Sequence, residues 1–250
     1  MSKHDSNKAC GDSLGQIRDL YTDLAHHPEK DFGWAMGKDN ARDLGYATQW
    51  LEQLPDAVWE SCAAVGNPFS LGTVSAGDCV LDLGCGAGAD LCVAALLTGP
   101  GGRVIGIDCT PAMIDKAGQN VRACGFEQVE IHVMDFSTLP LSDAAVDVII
   151  SNGAINLATD KPSVLAEAFR ILRNGGSFFI ADMVRTGTVR DPATSTERSW
   201  ADCVLGTLSP DCFQRMLQDA DFSHVEMTGY TGYRTSPGTE GALFRARKPD

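Results

Sequence analysis

Val80-Leu81-Asp82-Leu83-Gly84-Cys85-Gly86-Ala87-Gly88-Ala89 runs from an apolar strand into a glycine cluster, and a helical stretch over residues 90–97 follows directly. Glycines at a strand-to-helix turn supply left-handed backbone and let a ligand come close. The helix N-terminus beyond them offers free N–H groups. The spacing alone also fits the GxGxxG/A dinucleotide fingerprint, with Ala89 in the last place, and a plain tight turn would use the same residues.

Outward from this loop, strand and helix keep alternating. A break at Thr98-Gly99-Pro100-Gly101-Gly102 precedes a second strand at 103–107, and Thr110-Pro111 opens a helix with an N-cap and proline at the first helical position. Residues 129–134, 146–151 and 176–182 read as further strands, with a helix at 162–172 closed by Asn174-Gly175-Gly176. Right-handed crossovers of this kind predict an α/β fold, Rossmann-like, with a mostly parallel seven-stranded sheet flanked by helices. Two late segments, 224–227 and 242–246, predict an antiparallel addition to it. Residues 1–72 form a helical N-terminal cap, with helices expected at 13–25 and 47–64 and a loop at 32–37. Residues 73–182 form the ligand-binding core, and 183–250 a C-terminal extension with helices at 196–205 and from Ser209-Pro210 to Asp219.

Composition narrows the function. The 250 residues are 44% hydrophobic and 21% charged, with a mean hydropathy of -0.08, which describes a globular chain with a full core. Twenty Lys and Arg stand against 33 Asp and Glu, a net charge of -13, so a nucleic-acid phosphate backbone is an unsuitable partner and a small molecule is favoured. The longest apolar run, 91–97, is far short of the ~20 residues of a membrane span, and the N-terminus shows no apolar signal segment, so a cytoplasmic location is expected. Nine cysteines without zinc-type CxxC pairs then read as reduced thiols.

Acids sharpen the glycine loop. Asp82 precedes the turn, and Asp108 ends the second strand, where a carboxylate can accept ribose hydroxyls. Asp135 ends the third beside Phe136, suited to an exocyclic amino group and a base face. Three acids on the carboxyl edge of one sheet describe a nucleoside site.

The segment 80–88 resembles the first motif of class I methyltransferases that use S-adenosylmethionine, and Val104 to Asp108 resembles their second strand. Asp147-Val148-Ile149-Ile150-Ser151-Asn152 and Glu167-Ala168-Phe169-Arg170-Ile171-Leu172-Arg173-Asn174-Gly175-Gly176 are similar to the later motifs. The resemblance implies S-adenosylmethionine as cofactor, with Gly84, Gly86 and Gly88 at its methionine part, Asp108 on the ribose, and Asp135 and Phe136 at the adenine. Met113 then takes the other adenine face, and Asp82, Cys85, Cys109 and Ser151 complete the cofactor-binding set. An NAD enzyme usually lacks an acid at the position of Asp82, which ranks a dehydrogenase second.

One branch fits most of the chain. Asp108-Cys109-Thr110-Pro111-Ala112-Met113-Ile114, Gly66-Asn67-Pro68, Ala201-Asp202-Cys203-Val204-Leu205-Gly206 and Gly232-Tyr233-Arg234-Thr235-Ser236 resemble the arsenite methyltransferases. So does Ile17-Arg18-Asp19-Leu20-Tyr21, whose tyrosine implies a cofactor lid. Trivalent arsenic is soft and prefers sulfur ligands. The family commonly has cysteine where this chain has Val65 and Gly153, Cys203 matches its late cysteine, and Cys62 lies one helical turn from the expected place. The resemblance thus implies Cys62 and Cys203 as catalytic thiols holding the metalloid substrate, a third ligand from free thiol such as glutathione or from water, and a thiol reductant as a further partner. Cys79, Cys92, Cys124 and Cys212 are expected to pack, and His26, His27, His132 and His224 fall in no catalytic motif. A small organic carbon, nitrogen or oxygen acceptor is the alternative, and a noncatalytic arsenical- or nucleoside-binding protein is a third.

Overall fold

The computed structural model describes residues 3–187 and 206–250, with side chains from residue 14 onward. Seven strands form one sheet in the order β3-β2-β1-β4-β5-β7-β6. They are β1 (Cys79–Leu83), β2 (Arg103–Asp108), β3 (Val129–Val133), β4 (Val146–Asn152), β5 (Leu172–Arg185), β6 (Ser223–Tyr230) and β7 (Thr239–Arg247). The first five run parallel, and β7 lies antiparallel between β5 and β6. Chain order reverses between β1 and β4. That reversal leaves a crevice at the strands' carboxyl ends, where folds of this type bind ligands.

Burial follows sequence pattern. Val80, Leu81, Leu83, Ile149 and Ile150 are buried, as a strand covered on both faces requires. On one face pack α5 (Ala89–Thr98) and α6 (Pro111–Cys124), on the other α7 (Lys161–Ile171) and α8 (Pro210–Asp219), each face with its own apolar cluster. The register of β4 against β5 jumps from Val146–Leu172 to Val148–Ser177, so the turn at Asn174-Gly175 becomes a bulge and β5 starts four residues earlier than the sequence suggests.

The N-terminal region holds α1 (Lys3–His26), α2 (Gly37–Asp43), α3 (Thr48–Gln53) and α4 (Asp56–Glu60). The single helix expected over 47–64 is broken. Pro55 forces Leu54 into extended backbone (φ -86°, ψ 139°), and the chain leaves helical geometry again after Glu60. Helix α2 begins where only a loop was expected, at Gly37, whose φ of +82° suits a residue without a side chain. The C-terminal part ties this region down, since Tyr233 Oη donates to the Ala35 carbonyl at 3.1 Å and Thr231 Oγ1 to the Val65 carbonyl at 2.7 Å. The expected helix at 196–205, Cys203 and the side chain of Cys10 lie outside the described residues. Among those residues no helix is long and apolar enough to cross a membrane.

Candidate functional site

A cavity of about 380 Å³ opens at the carboxyl ends of β1, β2 and β4, within the range for small-molecule sites. Its floor is the glycine loop. Gly84 N and Cys85 N donate to the Ile107 carbonyl at 2.8 and 2.9 Å, and Gly86 N donates to Asp108 Oδ2 at 3.0 Å, which fastens the loop to the end of β2. Gly84 has φ +85°, and a Cβ there would lie 2.1 Å from that of Ala154, so only glycine fits.

The predicted acids Asp82, Asp108 and Asp135 all line the cavity. Asp108 accepts from the backbone of Gly86 and, at 2.8 Å, of Thr110, and burial raises its carboxyl while these N–H groups partly offset it. Asp135 Oδ1 accepts from Ser137 N at 2.8 Å. Asp82 differs: its Oδ2 is buried without a hydrogen-bond partner. Burial, with the charges of Asp90 and Asp108, holds Asp82 well above the usual carboxylate range. An orphaned buried oxygen facing a cavity calls for a donor or a cation from a ligand. Ser61 Oγ lines the same space and is also unpartnered.

Tyr21, Cys85, Cys109 and Met113 also lie on the wall. Met113 is buried in an apolar cluster with Leu24 and Ala25 of α1, against which Tyr21 packs, and Phe136 stands against Gly84. Two predicted residues are not on the wall. Gly88 turns the chain into α5 with φ +87° and packs on Ala117, while Ser151 is fully buried and donates to the Leu83 carbonyl at 2.8 Å. Both support the loop from behind.

A buried polar network beside the cavity was not apparent in the sequence. Tyr46 Oη donates to Asp90 Oδ1 at 2.5 Å, and Asn152 Nδ2 reaches Asp90 Oδ2 and the Gly66 carbonyl at 2.9 Å each. The Asn152 Oδ1 accepts from Val65 N at 3.0 Å. Burial raises Asp90 to about 6 against the hydrogen bonds from Tyr46 and Asn152. Asp90 lies in the first turn of α5, where an acid reads as an ordinary helix-start residue; its partners come from 44 and 62 positions away in sequence. The network pins the segment 61–66 to the sheet.

Cys62 sits on that segment. It follows α4 rather than lying within a longer helix, and its buried thiol lines the cavity. Burial and the neighbouring Asp90 push it up to about 12. Val65 and Gly153 face each other close by, a Cβ on Gly153 falling 3.5 Å from Val65 Cγ1. Five aspartates line the cavity, and no histidine, lysine or arginine does among the described residues. No group of three metal-ligating side chains occurs among them either. Cys79, Cys92 and Cys124 are at least partly buried, but Cys212 is exposed in the first turn of α8, contrary to its expected packing.

Residues 75–221 match the family model described as a methyltransferase domain. The chain belongs to that family. The chain is 41% identical to the arsenite methyltransferase of Halobacterium salinarum over 184 residues, 74% of the chain and 47% of the relative. It is 30% identical to the human arsenite methyltransferase over 138 residues, 52% of the chain and 37% of the relative. The methyltransferase thus spans less than half the length of these two relatives. It also superposes on the crystal structure of an arsenic(III) S-adenosylmethionine methyltransferase from Chlamydomonas reinhardtii at TM-score 0.60 and 25% identity, covering 86% of this chain and 75% of that one. A phosphoethanolamine N-methyltransferase from Haemonchus contortus in complex with S-adenosyl-L-methionine shares the fold at TM-score 0.69 and 14% identity, covering 94% of this chain and 60% of that one.

Proposed function

We propose that this methyltransferase transfers a methyl group from S-adenosylmethionine to trivalent arsenic, with the arsenical held beside Cys62. The observation that carries the reading is a thiol and an acid-lined crevice in one cavity that no basic side chain lines among the described residues. The cofactor, when bound, supplies an electrophilic methyl on a positive sulfonium. The chain's residues fit it: Asp82 Oδ2 and Ser61 Oγ are left for its amino group, Asp108 for the ribose, and Asp135, Phe136 and Met113 for the adenine. Gly84, Gly86, Cys85, Cys109 and Tyr21 serve backbone approach and closure, and Gly88 and Ser151, expected to bind the cofactor, support the loop instead.

A thiol near 12 is protonated at neutral pH, and this suits the acceptor. Condensation of a neutral Cys62 thiol with an As–OH group forms As–S and releases water, the thiol proton leaving with the hydroxide. No free thiolate is needed. Arsenic keeps its lone pair as the nucleophile, so no general base is required, in keeping with a cavity that no histidine lines among the described residues. Positioning and exclusion of water are then the protein's main contributions. Cys203 is the second thiol in this reading, free thiol or water the third ligand, and a thiol reductant and the cytoplasm the natural setting. Residues 1–72 act as the cap, 73–182 as the cofactor core, and 183–250 as the extension that completes the sheet and substrate side.

Incubation with labelled S-adenosylmethionine and reduced arsenite tests this, with methylated arsenic and S-adenosylhomocysteine as expected products. Cys203→Ser is expected to abolish arsenic methylation with cofactor binding intact, and unchanged turnover would exclude that thiol. A second reading, a small organic acceptor, is favoured by the apolar contact of Val65 and Gly153, where arsenite methyltransferases commonly carry cysteines. Cofactor binding without any arsenic product would select it.

A further inference from the structure

Behind the glycine loop, α5 and α6 meet along a row of residues at helical spacing. Gly88 opens the row, and a Cβ there would stand 3.1 Å from the Cβ of Ala117. Asn120 Nδ2 donates to the Ala87 carbonyl at 2.9 Å. One turn beyond Gly88 on α5 is Cys92, and one turn beyond Asn120 on α6 is Cys124. That spacing sets the two cysteines at one level of the α5–α6 seam, Cys92 in an apolar core cluster and Cys124 packed against that cluster. Cys92 is fully buried, whereas Cys124, the last residue of α6, is only partly covered and precedes the left-handed Gly125. Neither lines the cavity.

We propose that Cys92 and Cys124 form a reversible dithiol–disulfide site that staples α5 to α6 behind the ligand-binding loop. The division of labour is that of a reactive outer thiol and a buried resolving one. The neighbouring Cys92 lowers Cys124, and the neighbouring Cys124 together with burial raises Cys92. Cys124 as thiolate attacks an external disulfide such as oxidised glutathione, giving a mixed disulfide and one released thiolate. Cys92 then attacks the Cys124 sulfur, gives up its proton to solvent and expels the second glutathione thiolate. Two protein thiols are oxidised while one disulfide is reduced to two thiols. The product joins two helices that both abut the loop, Ala117 against Gly88 and Asn120 on Ala87.

The full-length reduced protein is treated with excess oxidised glutathione, remaining thiols are alkylated, and peptides are mapped without reductant. A linked Cys92–Cys124 peptide lighter by two hydrogens is expected, together with a melting temperature raised by several degrees and reversed by dithiothreitol. In Cys124→Ser the linked peptide disappears and Cys92 resists alkylation until the protein unfolds. Glutathione retained on Cys124 with Cys92 unlinked, or oxidation confined to exposed Cys212, would overturn the proposal. Neither arsenical nor methyl donor is present, so the result is independent of the proposed function.

Discussion

In the proposed function Asp82 and Cys62 carry the chemistry at the level of single side chains, and burial disfavours the charged form of both. Asp82 Oδ2 has no partner in the folded chain, so a charged Asp82 is costly until a ligand supplies a donor or a positive charge. Asp82→Asn is therefore expected to leave the ligand-free protein as stable as the parent or more so at pH 8, while S-adenosylmethionine binding weakens at least about tenfold, roughly 1.4 kcal/mol. Calorimetric titration and thermal melts measure both. Gly84→Ala is expected to fail more broadly, because the new Cβ meets Ala154 and the backbone is left-handed: loss of cofactor binding and a lowered melting temperature. The glycines and three acids were legible in the sequence because a tight turn and strand-end carboxylates are local patterns. Asp90 was not, since its significance comes from Tyr46 and Asn152, which only the folded chain brings near.

Among the elements, the strands were legible because β1 and β4 are buried on both faces and read as apolar runs. The segment 47–64 was not, because helical spacing of apolar residues persists through Pro55 although the backbone cannot follow it. That break has a consequence for the site. It frees residues 61–66 to cross the cavity, where Asn152 holds them through Val65 N and the Gly66 carbonyl. Asn152→Ala removes these bonds and one to Asp90. The expected result is about 2–4 kcal/mol lower stability by chemical denaturation and a KM for the acceptor raised more than that for the cofactor. Equal changes in both KM values would argue against a role for this segment at the acceptor end.

Across the whole molecule, a net charge of -13 and five aspartates lining one cavity are expected to favour positive ligands and to make stability depend on pH. Asp90 and Asp182 are both buried and both raised by burial from 3.8 to about 6. A carboxyl raised on folding contributes stability that is complete below its unfolded value and lost as pH rises through its folded value. The ligand-free protein is thus expected to lose stability between about pH 4 and pH 7, by roughly 3 kcal/mol for each group. S-adenosylmethionine, being more positive than S-adenosylhomocysteine, should flatten the Asp90 share of that decline more, since Asp90 lines the cavity and Asp182 does not; identical pH profiles with both ligands would count against the cavity acids facing the sulfonium. The most direct test of arsenic methylation at Cys62 compares the parent with Cys62→Ala, using labelled S-adenosylmethionine and arsenite under thiol-reducing conditions. The expected result is methylated arsenic from the parent only, with equal cofactor affinity in both proteins. Arsenic methylation that persists unchanged in Cys62→Ala, or none from the parent despite cofactor binding, would contradict it.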